Sequence, residues 1–346
     1  MLCFSLNSFA QEVRENYNGA RSQGMGGASI AVVNDETALL SNPAALGKLR
    51  ESFGTVIDPE IESSYTSKKM YDSKAFTNPL DLEQAKDTAD SSRGSLLHTK
   101  AQIFPSYVAK NFGIGIHGLR SLDAKMSIDG TSLSTNYRDD LSLMMGMNLR
   151  LFDGKIKIGA VGKLISRIEI AKDISIPATL DLSQQASEGV GIGVDAGAIF
   201  AAPVAWIPTL AVVMRDAGST PFTGGSGVRL QTTDRPRTLE QDIDVALALF
   251  PIHSNNSRSA FTLEYQKIKE AASASSKTRY YHVGYEYNYA DLIFLRAGMN
   301  QNYWTAGVEL ASEHTQFQLA TYGEDVGIDG TPEEDRRYIF KFSFRY

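Results

Sequence analysis

Cysteine is nearly absent from this chain of 346 residues; the single one is Cys3. An internal disulfide framework and a multi-thiolate metal site are therefore excluded. No run of eighteen or more apolar residues occurs, so no transmembrane helix is expected. Positive charge is not in excess: 34 Lys and Arg stand against 40 Asp and Glu, for a net charge of −6. No basic stripe exists to neutralise phosphates, which argues against a nucleic-acid partner. Catalytic spacings are missing too. His98, His117, His253, His282 and His314 are dispersed, and neither an HExxH nor a GxSxG pattern occurs. The expectation is a protein that is not an enzyme and needs no cofactor or metal. What the chain does have is 15 Tyr, 16 Phe and 29 Gly, the material of aromatic girdles and tight turns.

The strongest pattern is alternation with a period of two. Ile156, Ile158, Ala160, Leu164, Ile168 and Ile170 share one face, against Lys155, Lys157, Lys163, Arg167 and Glu169. A helix would scatter those charges around its circumference, whereas a strand sorts them to one side. Leu141, Leu143, Met145, Met147, Leu149 and Leu151 form the same kind of face before Asp153-Gly154, a tight-turn pair. The pattern persists downstream to Tyr338, Phe340, Phe342, Phe344 and Tyr346, which oppose Lys341, Ser343 and Arg345.

About fourteen such segments follow Phe53, each near the 9–11 residues of a tilted membrane-crossing strand. Short joints, as at 153–154 and 290–291, alternate with long polar ones at 72–93, 173–188, 216–237 and 323–336. Two of these, at 79–89 and 178–186, have the composition for short helices. A soluble sandwich or barrel would also alternate, but fourteen strands is many for one such core. The expected fold is all-β, a transmembrane antiparallel barrel over 51–346, in the outer membrane of a bacterium and in contact with its lipid. Residues 1–10 have the apolar run and small-residue end of a signal-peptide remnant.

Between the two lies a small-residue segment, 11–50. It contains Gly24-Met25-Gly26-Gly27, Asp35 and Asn42-Pro43. Glycine permits left-handed backbone and close approach, and Pro43 suits the first position of a helix. A phosphate loop is improbable, because no Gly-Lys-Ser/Thr follows the glycines. This composition suits a plug packed inside a barrel.

The run from Ala20 to Leu46, GMGGAxxAxxxDxxAxxxNPAxL at its core, resembles the N-terminal signature of the FadL-type long-chain fatty acid transporters and of PorV-like outer-membrane proteins. The stretch from Arg279 to Tyr346 looks more PorV-like. The resemblance implies a fourteen-stranded barrel with an N-terminal hatch in the lumen. It implies either transport of a fatty-acid-like hydrophobic small molecule or a non-transporting platform for a secretion or surface-assembly machine, with a protein partner at the loops. A general porin is a third option, against which the glycine-rich segment argues.

Alternation places Lys163, Arg167, Asp195, Asp242, Asp244, Glu264, Glu286, Arg296, Glu309 and Arg345 on the lumen face. These charges read as a polar pathway, as contacts holding the hatch, or as the ordinary solvated interior of a barrel.

Overall fold

The computed structural model describes residues 17–67, 82–176, 182–224, 228–230, 232–274, 276–327 and 331–346. The leader expected at 1–10 and the first part of the expected hatch, 11–16, lie outside the described residues. So do parts of the loops at 72–81 and 178–181.

The strands form one antiparallel sheet closed on itself. Its seventeen segments run β1 (Phe53–Ile57), β2 (Glu60–Ser64), β3 (Leu96–Ile103), β4 (Ser106–Ala109), β5 (Phe112–Met126), β6 (Ser132–Leu151), β7 (Ile156–Ser175), β8 (Ser187–Ala201) and β9 (Thr209–Arg215). They continue as β10 (Asp242–Leu249), β11 (Ile252–Ser254), β12 (Ser257–Tyr265), β13 (Tyr281–Tyr289), β14 (Ile293–Asn300), β15 (Tyr303–Ala311), β16 (Thr315–Asp325) and β17 (Glu334–Arg345). Neighbours in sequence pair along the wall, and β17 closes the ring on β1 and β2.

Fourteen spans result, because three of them are each broken in two by a proline. The breaks fall at Asp58-Pro59, Phe104-Pro105 and Phe250-Pro251. Proline has no N–H to give a ladder, so pairing lapses there. The proline carbonyls still accept from the neighbouring strand, at 3.1 Å from Phe342, 2.9 Å from Ile116 and 2.9 Å from Ser259.

Two faces of unlike chemistry follow from the alternation. On β6, Leu141, Leu143, Met145, Met147 and Leu149 are exposed, while Ser142, Met144 and Asn148 are buried. On β17, Tyr338 and Phe340 are exposed, and Arg337, Ile339 and Lys341 are buried. An apolar outer band on a closed antiparallel wall makes this a transmembrane barrel, since lipid offers no partner to an open strand edge.

Strand lengths depart from expectation. β6 and β7 each have 20 residues, twice what a bilayer crossing needs, and the long joints are shorter to match: β7 runs on to Ser175, and β16 and β17 leave only 326–333 between them. The reason is a second core on the outward-facing parity of the extended ends. Leu97, Leu122, Ala124, Met126, Leu133, Ile168 and Ile170 are buried there with Leu82, Ala85 and Ala89 of the helix Leu82–Ser91. The 3-4 spacing of those helical positions lays one apolar stripe on the strands. Ile168 and Ile170 therefore do not share the lipid-facing environment of Ile156 and Ile158. The second expected helix is present as Leu182–Gln185.

The short joint after β6 is also different in kind. It is a 3-10 turn, Phe152–Gly154, with positive φ at all three residues. Ala290 and Asp291 do form a two-residue turn with φ of 57° and 56°, the left-handed pair that strand twist favours.

Candidate functional site

Residues 17–49 lie within the ring of strands, buried almost throughout. The segment is built from short pieces: a helix at Ala20–Gly24, a turn at Gly26-Gly27, a helix at Ala38–Ser41 and a 3-10 helix at Pro43–Lys48. Asn42 is extended and its side chain accepts from Ala44 N at 3.0 Å, with Pro43 at the first helical position. The same amide donates to Ile30 O at 2.9 Å and so closes the segment on itself. Pieces this short have many unpaired backbone groups, which a buried site must satisfy.

The barrel wall supplies the missing partners. Glu264 accepts from the amides of Ser29 and Ile30 at 2.7 and 3.0 Å. Gln266 donates to Gly27 O at 3.0 Å, and His282 Nδ1 lies 2.8 Å from Gly26 O. Thr305 receives the Gly26 amide and gives its hydroxyl to Gly24 O. Asn148 donates to Ala44 O at 3.0 Å, and Arg215 reaches Leu40 O and Ser41 O.

Glycines on both partners allow this proximity. A Cβ on Gly26, whose φ is +68°, would lie 2.3 Å from Val283 O. On the wall, a Cβ on Gly284 or Gly298 would strike the backbone of Met25 or Gly26. Across the lumen, a Cβ on Gly159 would lie 2.4 Å from the Pro43 carbonyl, and one on Gly197 would lie 2.1 Å from Asn42 Oδ1. The glycine cluster and the Asn-Pro pair of the sequence are therefore the two docking points of the segment, one against β13–β15 and one against β6–β8.

An ion chain joins the first docking point to the wall. Arg21 pairs with Asp35 at 2.8 Å and with Glu286 at 2.9 Å; Arg296 then joins Glu286 at 2.7 Å and Glu309 at 2.5 Å. Burial alone would raise the Asp35 carboxyl, but Arg21 and Arg345 outweigh it and hold the group well below the usual carboxylate range. Glu36, fully buried, is pushed up by burial despite its bond to Arg345 at 2.6 Å.

The lumen charges expected from alternation face inward, all of them buried except Arg345, which is half-buried, and they divide by task. Glu264, Glu286, Arg296, Glu309 and Arg345 bear on the N-terminal segment. The others hold loops. Lys163 pairs with Asp195 and Asp216 at the root of the loop after β9. Arg167 pairs with Asp140 and sits over the Phe222 ring. Asp242 caps the helix Ile268–Ser273 by accepting from Lys269 and Glu270, and Asp244 accepts from Lys267 N and from Arg215. Paired and buried, these charges are not a solvated lining. Sequence reading missed Arg21, Asn148, Arg215, His282 and Thr305 as holders of the segment. It also missed the wall glycines, whose inward parity was the signal available.

A further network, Glu62, His98, Lys100, Asp123 and Arg337, ties β2, β3, β5 and β17 together, with His98 2.6 Å from Asp123 and 3.0 Å from Glu62. On the short-turn side, a vestibule of about 1230 Å³ opens below the segment. A smaller recess of about 190 Å³ runs from it between the segment and β12–β17, as far as Arg21, Glu286 and Arg296.

The toluene transporter TodX of Pseudomonas putida superposes with a TM-score of 0.56 at 13% identity, covering 96% of this chain and 99% of that one. A FadL homologue of Pseudomonas aeruginosa gives 0.54 at 10% identity, covering 97% and 99%. The toluene transporter TbuX of Ralstonia pickettii gives 0.55 at 10% identity, covering 96% and 99%. The fold is that of the FadL-type outer-membrane barrels. No family model matches the sequence, and no curated protein does. The fold expected from the sequence is thus the fold present, over nearly the full length of the FadL-type structures.

Proposed function

We propose that this protein is a bacterial outer-membrane barrel that binds a hydrophobic, fatty-acid-like or hydrocarbon molecule and passes it across the membrane. In this reading residues 11–50 are a hatch, the cargo enters at the long-loop rim, and no catalytic step is involved. The observation that carries the reading is how the segment is seated. Side chains and glycines hold it, while the strand ladder closes without it. A seat of separate hydrogen bonds, each worth about 0.5–1.5 kcal/mol net, can be released piece by piece. A strand of the wall cannot. The relatives in fold that carry toluene, by their names, favour the same class of cargo, although fold alone does not fix function.

The test is native mass spectrometry of detergent-purified protein, followed by lipid extraction. The expected result is a co-purifying hydrophobic molecule that is reduced when the seat is disturbed by Gly159→Leu. A protein free of such a molecule that instead retains a protein partner would support the platform for a surface-assembly machine.

A further inference from the structure

The chain as a whole is acidic, yet its short-turn mouth is not. Cations crowd the vestibule below the hatch segment: Lys48, Arg50, Lys110, Arg150 and Lys157 all line it. Among the described residues, none of these five has a carboxylate within ion-pair distance. The other two cations of the mouth are already matched, Arg258 by Asp291 and Arg345 by Glu36. Among the described residues, Glu51 and Glu313 are the carboxylates lining it that have no ion-pair partner.

Three of the cations are neighbours, Lys157 touching Gly47 beside Lys48 and Arg150 touching Gly154. Lys157 is 8% exposed, and its ammonium donates to the Gly154 carbonyl at 2.5 Å. Its stem lies beside Gly47, one residue from Lys48. Arg150 packs against Gly154 from the same turn. Lys48 gives its ammonium to Ala31 O at 3.0 Å and lies 5.6 Å from the Phe250 ring. Burial, with Arg21 and Lys157 as like-charged neighbours, pushes Lys48 down to about 7. A half-buried lysine without a counter-ion is costly to keep, and an arriving anion would relieve that cost. Beside these charges the vestibule presents Leu49, Phe53, Phe250 and Leu292.

We infer that Lys48, Arg150 and Lys157 form an anion site at the short-turn mouth, which takes a phosphate or carboxylate head group. The apolar wall beside it seats whatever chain the head group carries. The site lies on the underside of the hatch segment, which supplies Lys48, and it does not depend on the transport reading, because its ligand approaches from the short-turn side.

Calorimetric titration of the full chain in a non-ionic detergent tests this with three probes: hexyl phosphate, inorganic phosphate and hexanol. Hexyl phosphate is expected to bind and to weaken as salt rises. Lys48→Gln with Lys157→Gln should weaken it on the order of tenfold or more, as loss of charge-assisted bonds does. Lys157→Arg should restore it, and Lys110→Gln at the rim should change it little. Retained heat-modifiability on gels would show that each variant still forms the barrel. Inorganic phosphate binding as tightly as hexyl phosphate would identify a free anion as the ligand, and weaker binding would identify an amphiphile. Binding that ignores the double substitution, or hexanol binding as well as hexyl phosphate, would overturn the site. Failure of cargo to co-purify would leave this result unaffected.

Discussion

Asn42 shows how much one side chain does here. Its oxygen caps the 3-10 helix, its nitrogen holds Ile30 O, and its bulk fills the space left by Gly197. Asn42→Ala removes both bonds inside a buried site and should loosen the segment by about 1–3 kcal/mol. Hydrogen exchange read residue by residue should rise over Ala38–Lys48 and stay unchanged in the strands. The Arg21–Asp35 pair predicts a pH effect. The Asp35 carboxyl sits below its unfolded value of roughly 3.9, so its contribution is present above that pH and is lost as pH falls below it. Exchange of Ala20–Asp35 should therefore accelerate on acidification below about pH 4 before the barrel opens. Arg21→Ala should bring much of the same loosening at neutral pH. At this scale the sequence was legible in part. Gly26, Gly27, Asn42 and Pro43 stood out because positive φ and helix starts have local signatures. Arg21, His282 and Thr305 did not, because their roles depend on partners more than two hundred residues away.

Among the elements, strands were read well and loops poorly, for one reason. The period-two pattern is set by lipid on one side and a polar lumen on the other, so each strand declares itself alone. Beyond the membrane that contrast ends. On β6 and β7 the apolar parity continues past Leu141 and Leu164, but loops and a helix replace lipid as what covers it. Nothing local marks the change, which is why Ile168 and Ile170 looked lipid-facing. The helix Leu82–Ser91 is held by this contact. Ala89→Asp places a charge in that core, at 0% exposure for the wild-type residue. Burying a charge without a partner is costly enough to release the helix. Limited proteolysis should then cut near 82–91, while the barrel keeps its heat-modifiability. A helix that stays protected in this variant would mean that the cluster contributes little.

The whole molecule combines a continuous wall with a separate occupant. Closure of β17 on β1 and β2 satisfies every edge without help from residues 17–49. The occupant is bound from two sides, by Gly284, Gly298 and Thr305 on one and by Asn148, Gly159 and Gly197 on the other. Fourteen spans were legible in the sequence from periodicity, and the small-residue composition of 17–49 agrees with its burial inside the ring. The two-sided seat was not legible, because it exists only once distant strands are neighbours. We propose that this segment closes the lumen, seated by wall glycines. The most direct measurement is conductance across a planar bilayer for the native chain and for Gly159→Leu combined with Gly197→Leu. The native chain should show no steady channel and the double variant discrete openings, because its leucines occupy the space of Asn42 and Pro43. Equal conductance in the two, with the barrel intact in both, would contradict it.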